Sequence, residues 1–112
     1  MIKKEHRLKK NKHFQYIYRK GMSKQTAFLT LVYVRTYYKP FKVGFSVSKK
    51  VGKSVVRSLV KRRMSECFNL LYEHLNPNYN YIFVAKNGIS QISFDQLKNE
   101  MQKVLTKAGL YI

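Results

Sequence analysis

Residues 41–63 read Phe41-Lys42-Val43-Gly44-Phe45-Ser46-Val47-Ser48-Lys49-Lys50-Val51-Gly52-Lys53-Ser54-Val55-Val56-Arg57-Ser58-Leu59-Val60-Lys61-Arg62-Arg63, and the apolar period changes inside them. Phe41, Val43, Phe45 and Val47 alternate with Lys42, Gly44, Ser46 and Ser48, as in a strand with one buried face. After Gly52 the spacing turns helical. Val56, Leu59, Val60, Cys67, Leu70 and Leu71 share one sector, while Ser54, Arg57, Ser58, Lys61 and Ser65 fall opposite, with Arg62 at the margin. Arg63 falls inside the apolar sector and is expected to snorkel past the sheet edge. The helix is expected over residues 54–75, stopped by Asn76-Pro77.

Towards the N-terminus, residues 27–38 are rich in β-branched and aromatic types and predict a long strand, turned at Lys39-Pro40. Before it, Asn11 is placed to cap a short helix carrying Phe14, Ile17 and Tyr18, ended by Gly21. Residues 1–10 form a basic arm. Towards the C-terminus, residues 79–85 predict another strand. Ser93 and Gln96 form a capping box for a last helix with Phe94, Leu97, Met101, Val104, Leu105 and Ala108 on one face and Gly109 beyond its end. The order α-β-β-α-β-α, its first long strand open to division in two, predicts one α/β domain over residues 1–112. It would be a two-layer α+β sandwich with helices packed on one face of a small sheet. The other face, beside the first helix, is expected to stay available. Gly44 inside its strand signals either a bulge or the close approach of another group.

Charge says what such a surface meets. The chain carries 23 basic and 5 acidic residues, a formal charge of +18, yet 45% of it is hydrophobic, as in a folded protein. Residues 1–63 hold 19 of the basic residues and, of the acids, Glu5 alone; the remainder is balanced. The long helix crosses that boundary, so a folded domain with one cationic side fits better than a basic tail on a neutral body. Residues 49–63 contain seven basic residues and no acid. Opposite charges for i,i+4 pairing are not expected on that face, its serines keep it low, and the turn before it offers peptide N–H groups to an anion. A polyanion is the expected ligand. Phe14, Tyr16 and Tyr18, with Tyr33, Tyr37 and Tyr38 on the neighbouring strand, add rings that suit unpaired bases. For Phe14 and Tyr18, core packing and stacking stay open as alternatives.

Other classes fit less well. Cys67, the single cysteine, excludes an internal disulfide and a cysteine zinc site, and belongs on the apolar helix face as a core residue. The acids are scattered, His6 and His13 are expected to be solvent-exposed or phosphate-contacting, in or beside the arm without a fixing partner, and no P-loop, Rossmann or GxSxG pattern occurs. No apolar run reaches membrane-spanning length, and Met1-Ile2-Lys3-Lys4 is not followed by a signal-peptide core, so a cytoplasmic protein is expected.

Arg7-Leu8-Lys9-Lys10 ahead of Phe14-x-x-x-Tyr18, then residues 43–52, then Val55-Val56-Arg57 and Val60-Lys61-Arg62-Arg63, and finally Ile82-Phe83-Val84-Ala85-Lys86 together resemble the bacterial ribonuclease P protein component. The resemblance implies the protein subunit of a ribozyme that removes the 5′ leader of precursor tRNA, with Mg²⁺ held mainly by the RNA. It implies contacts from Lys49, Lys50, Lys53, Arg57, Lys61, Arg62 and Arg63 to the catalytic RNA. It implies a leader cleft of Phe14, Tyr18, Tyr33, Lys86, Arg7 and Lys10, no metal or catalytic residue in the protein, no DNA, no membrane, and a left-handed βαβ crossover. The chain departs from the family pattern at Lys53, usually Asn, and at Ser54, usually Ala. Arg57-Ser58-Leu59 stands where Arg-Asn-Arg is usual, and Ser65 where a later arginine is usual. The competing reading is a structural RNA-binding protein of the ribosomal kind; a helix-turn-helix DNA reader fits poorly, because the helix after Gly52 is long and lacks a short partner.

Overall fold

The computed structural model describes residues 4–112, so Met1, Ile2 and Lys3 of the expected arm lie outside the described residues. Seven elements follow in order: α1 (Asn11–Lys20), β1 (Met22–Gln25), β2 (Leu29–Arg35), β3 (Val43–Ser46), α2 (Ser54–Leu71), β4 (Tyr79–Ala85) and α3 (Phe94–Lys107). The sheet runs β1-β2-β4-β3. Its first two pairings are antiparallel, while β3 lies parallel to β4 in the register Val43↔Tyr81 to Ser46↔Val84. Helix α2 is therefore the crossover between adjacent parallel strands.

Side-chain alternation sorts the strands into two faces. Leu29, Leu31 and Tyr33 of β2, Val43 of β3, and Tyr81, Phe83 and Ala85 of β4 enter the main core with α2 and α3. Val32 and Ile82 point the other way and meet Ile17 of α1 and Leu8. Thus α2 and α3 cover one face as expected, and α1 lies across part of the second. Phe68, fully buried, is the hub of the main core, with Phe41, Phe45, Tyr72 and Phe83 rings 6.0–6.3 Å away, centroid to centroid.

Several expectations change. The strand expected over 27–38 is Leu29–Arg35, and a separate strand, β1, precedes it. Met-Ser-Lys-Gln is exposed throughout on the sheet edge, so it carries no apolar alternation to read. Helix α2 stops at Leu71, and a 3₁₀ turn, Tyr72–His74, leads to Asn76-Pro77. Its buried stripe is Val60, Met64, Cys67, Phe68 and Leu71, spaced 4, 3, 1 and 3 residues apart. Leu70, placed in the apolar sector by the wheel, is 58% exposed; the stripe centres on Met64 and Phe68 instead. Helix α1 is capped by Lys10 without a side-chain bond, and Asn11 is its first helical residue. The capping box of Ser93 and Gln96 forms as expected, and Gly109 follows α3 at φ +75°.

The largest correction concerns the arm. Residues 4–6 form a 3₁₀ turn, Arg7 pairs with Val43 beside β3, and the Leu8 N–H donates to the Val43 carbonyl at 2.9 Å. His6 is 5% exposed, not solvated. Its Nδ1 lies 2.8 Å from the Phe41 carbonyl, which only accepts, so Nδ1 carries the proton; Nε2 then accepts from the Tyr72 hydroxyl at 2.9 Å. The segment is strapped down by His6 and Leu8, whose alternation with charged neighbours concealed their burial.

Cys67 is fully buried, and burial, with Glu66 nearby, pushes its thiol from 9.0 up to about 11. Burial also raises the Tyr81 hydroxyl, whose O–H donates to the Asn76 carbonyl. Above pH 9 the unfolded thiol releases its proton while the folded one keeps it, so the unfolded state binds fewer protons and stability falls as pH rises. Denaturant midpoints are expected to decline from pH 9 to 11, Cys67→Ala flattening part of the decline. A thiol reagent at pH 8 should modify Cys67 only after unfolding.

Candidate nucleic-acid interface

The cationic face begins where β3 ends. Ser48–Val51 closes a turn through the Val51 N–H and the Ser48 carbonyl at 3.1 Å, presenting Lys49 and Lys50 to solvent. Lys53, extended, is the N-cap of α2 and has no side-chain cap bond, so the first-turn N–H groups of the helix are not met by a cap side chain. Arg57 folds back one turn and its Nε donates to the Gly52 carbonyl at 3.2 Å, which fixes the guanidinium beside that helix start. Lys61 and Arg62 follow, exposed, and Arg63 is half-buried at the margin of the core stripe, in keeping with the expected snorkelling. Contrary to the expectation of no opposite charge, Arg62 has an i,i+4 partner, Glu66, at 3.9 Å. Both ends are exposed, so the pair contributes at most about 1 kcal/mol and leaves Arg62 free to exchange it for a phosphate.

The second face of the sheet holds the rings. Ile17 anchors α1, fully enclosed, while Phe14 is half-buried and Tyr18, one turn further on, is 45% exposed. Gly44 now has its reason. A Cβ there would lie 2.6 Å from Cε1 and Cζ of Phe14 and 3.1 Å from Cδ2 of Leu8, so the close approach is made by the chain's own ring. Gly44→Ala is expected to force that ring off the sheet at a cost of about 1–3 kcal/mol. A urea titration checks it: the midpoint should fall at unchanged slope.

Between these two faces lies one groove of about 560 Å³. Arg7, Leu8, Phe14 and Gly44 line one side, and Lys61, Arg62 and Ser65 of α2 the other. Two groups of residues that the sequence placed on separate faces therefore meet. The half-buried ring forms an apolar floor, and three cations stand around it. That combination offers a stacking surface and phosphate neutralisation within the span of one or two nucleotides.

The remaining expected cleft residues divide. Lys10 lines a neighbouring basic hollow with Arg7, Lys9, His13 and Lys42. Lys86 lies at the far end of β4, its ammonium already donating to Gln25 Oε1 and to the Thr26 carbonyl, both at 2.9 Å. Tyr33 does not belong to the cleft. It is 5% exposed in the main core, edge-on to Tyr79, because its position on β2 points to the α2–α3 face. Sequence reasoning missed Lys42 and the seam position of Ser65; the alternation Lys42-Gly44-Ser46 already put Lys42 on the open face.

The family model described as Ribonuclease P matches residues 2–109. The ribonuclease P protein component of Caldanaerobacter subterraneus subsp. tengcongensis is 39% identical over 111 residues, 99% of this chain and 96% of that protein. The one from Geobacillus thermodenitrificans is 37% identical over 109 residues, 96% of this chain and 90% of that protein. The solved RNase P protein of Staphylococcus aureus superposes with a TM-score of 0.88 at 31% identity, covering 97% of this chain and 100% of that one.

Proposed function

The chain belongs to the ribonuclease P protein family and is the protein subunit of that ribonucleoprotein, and from this we propose that its cationic helix docks on the catalytic RNA while the groove under Phe14 receives the unpaired 5′ leader of precursor tRNA. The observation that carries the division of labour is the shared groove, with Phe14 and Gly44 facing Lys61 and Arg62. Lys49, Lys50, Lys53 and Arg57, at the start of α2, take the RNA subunit. Lys61 and Arg62, at the seam, continue the contact with the RNA subunit and also neutralise phosphates of the leader strand over Phe14, and Arg63 supports them from the margin. Tyr18, with Arg7 and Lys10, continues the leader path on either side of the ring.

The protein's part in the cleavage is positional. A leader held on α1 and the sheet keeps the scissile phosphate of a precursor at the RNA's active centre, and a mature tRNA has nothing to place there. Binding energy from a remote part of the substrate is thereby used for orientation. Among the described residues no three His, Cys, Asp or Glu side chains converge on a common point. The proposal assigns Mg²⁺ to the RNA, whose phosphate oxygens are the hard ligands that ion takes. Among the described residues no helix is long and apolar enough to cross a membrane, and the proposed place of work is the cytoplasm, where precursor tRNAs are made.

Reconstitution with a bacterial ribonuclease P RNA tests this reading. At low Mg²⁺ the protein should strengthen binding of precursor tRNA by about tenfold or more, one stacked base supplying about 1–3 kcal/mol, and change mature tRNA binding little. The protein alone should leave the precursor intact. Equal strengthening of both ligands would remove the leader groove from the proposal.

A further inference from the structure

The groove under Phe14 does not end at the N-terminal segment. Arg7 and Leu8 line it and also line the basic hollow beyond, with Lys10, His13 and Lys42. Leu8, His13 and Lys42 in turn border a third groove, of about 430 Å³, which reaches Tyr16, Tyr37 and Tyr38. Because the three hollows share side chains, they adjoin one another along a path from α2, past the N-terminal segment, to the loop between β2 and β3. Glu5 is the single acid among the described residues lining it, and its backbone carbonyl is engaged by the Lys42 ammonium. Arg35 and Lys39 add positive charge at the far end.

That far end carries two of the most exposed rings of the chain. Tyr37 and Tyr38 are 81% and 83% exposed, and Tyr16 on the facing turn of α1 is 49% exposed. The loop beneath them is braced. The Thr36 N–H donates to the Asn78 carbonyl at 2.8 Å, and the Tyr38 N–H to Thr36 Oγ1 at 3.2 Å. The Lys39 ammonium donates to Asn78 Oδ1 at 3.0 Å, and the Lys42 N–H to Asn80 Oδ1 at 2.7 Å. The Arg35 guanidinium carbon stands 5.3 Å from the Tyr37 ring centroid, a cation–π contact that leaves the rest of the ring uncovered. A loop tied to the start of β4 that nevertheless holds its rings in water is preorganised, so a ligand loses little entropy in ordering it. Rings among cations, on a path without free acids apart from Glu5, suit an unpaired polyanion of bases better than a protein partner.

We propose that Tyr37 and Tyr38, with Tyr16 opposite, form a second stacking platform for unpaired RNA, which takes leader nucleotides farther along the strand than those in the Phe14 groove. This rests on the reading of the Phe14 groove as the leader site and extends it. The platform makes the benefit of the protein depend on leader length. It also gives the basic hollow of Arg7, Lys10 and Lys42 a role, as the phosphate track between two sets of rings.

The test measures binding of precursor tRNAs with leaders of about 4 and about 16 nucleotides, the range of single-strand site sizes, to the reconstituted holoenzyme. Wild-type protein is expected to bind the long leader more tightly than the short one. Tyr37→Ala/Tyr38→Ala should abolish that gain, about tenfold for each stacked base lost, while short-leader binding stays unchanged; Tyr37→Phe/Tyr38→Phe should restore it. Both rings are exposed, so the thermal midpoint of the alanine variant should match wild type. A long-leader gain that survives in the alanine variant overturns the proposal, as does an equal loss for both leaders. A change in oligomeric state without any effect on RNA would mark the rings as a protein contact and overturn it as well. Failure of the underlying reading looks different: wild type would then favour precursor over mature tRNA at neither leader length.

Discussion

Phe68→Ala is expected to remove a large part of the stability of the chain and to lower its urea midpoint steeply. The ring is fully buried, and four aromatic neighbours close around it: Phe41 just before β3, Phe45 on β3, Tyr72 in the turn after α2, and Phe83 on β4. Removing it deletes the hub between helix and sheet, and truncations of this kind cost about 3–5 kcal/mol. A domain of this size has about 5–15 kcal/mol in all. The loss therefore takes a large part of the margin and with it the alignment of the cationic face, since α2 is held to the sheet chiefly by this stripe. Urea unfolding followed by circular dichroism checks the cost. A midpoint within experimental error of the parent would mean that Met64 and Leu71 fill the space, and would remove Phe68 from its central place.

Lys61→Glu/Arg62→Glu is expected to act in the opposite manner, sparing the fold and abolishing most RNA affinity. Both side chains are exposed, and the pair that Arg62 makes with Glu66 is weak, so stability should change by no more than about 1 kcal/mol. A phosphate about 4 Å away attracts each cation by about 1 kcal/mol in water, and reversal turns this into repulsion of the same size. With screening, the two sites together should lower affinity for the catalytic RNA on the order of 100-fold at low salt. The log–log salt slope should become shallower by about two, one for each counterion no longer released. Filter binding across a salt series measures both quantities. An unchanged slope would show that this turn of α2 does not meet phosphates.

These two substitutions sit two turns apart on one helix, and the sequence treats them unequally. Charge at 61 and 62 is visible without a structure because nothing opposes it over residues 49–63. Phe68 is not, because a wheel drawn through Val56, Leu59 and Leu70 turns the apolar sector away from it. Only the sheet decides which of several apolar residues on a helix is inside, and it selects Val60, Met64, Cys67, Phe68 and Leu71. The same holds for His6. Its neighbours are charged, yet a carbonyl at Phe41 and a hydroxyl at Tyr72 satisfy both ring nitrogens and carry it into the interior. Tyr33 shows the converse, a ring that looked available for stacking and is consumed by the core.

The class and order of the main elements, the cationic side and the family are legible in the chain without any structure. Each of these is a local property: apolar period, capping residues, unopposed charge and a long run of matching motifs. The edge strand β1, the burial of the N-terminal segment and the joining of Phe14 with Lys61 and Arg62 in one groove were decided only by tertiary structure. The last two depend on contacts between residues more than thirty apart, where burial follows from what lies opposite and not from what lies adjacent in the chain. Gly44 states the difference most simply. The sequence marks it as a place of close approach, and the fold alone reveals that the group approaching is Phe14.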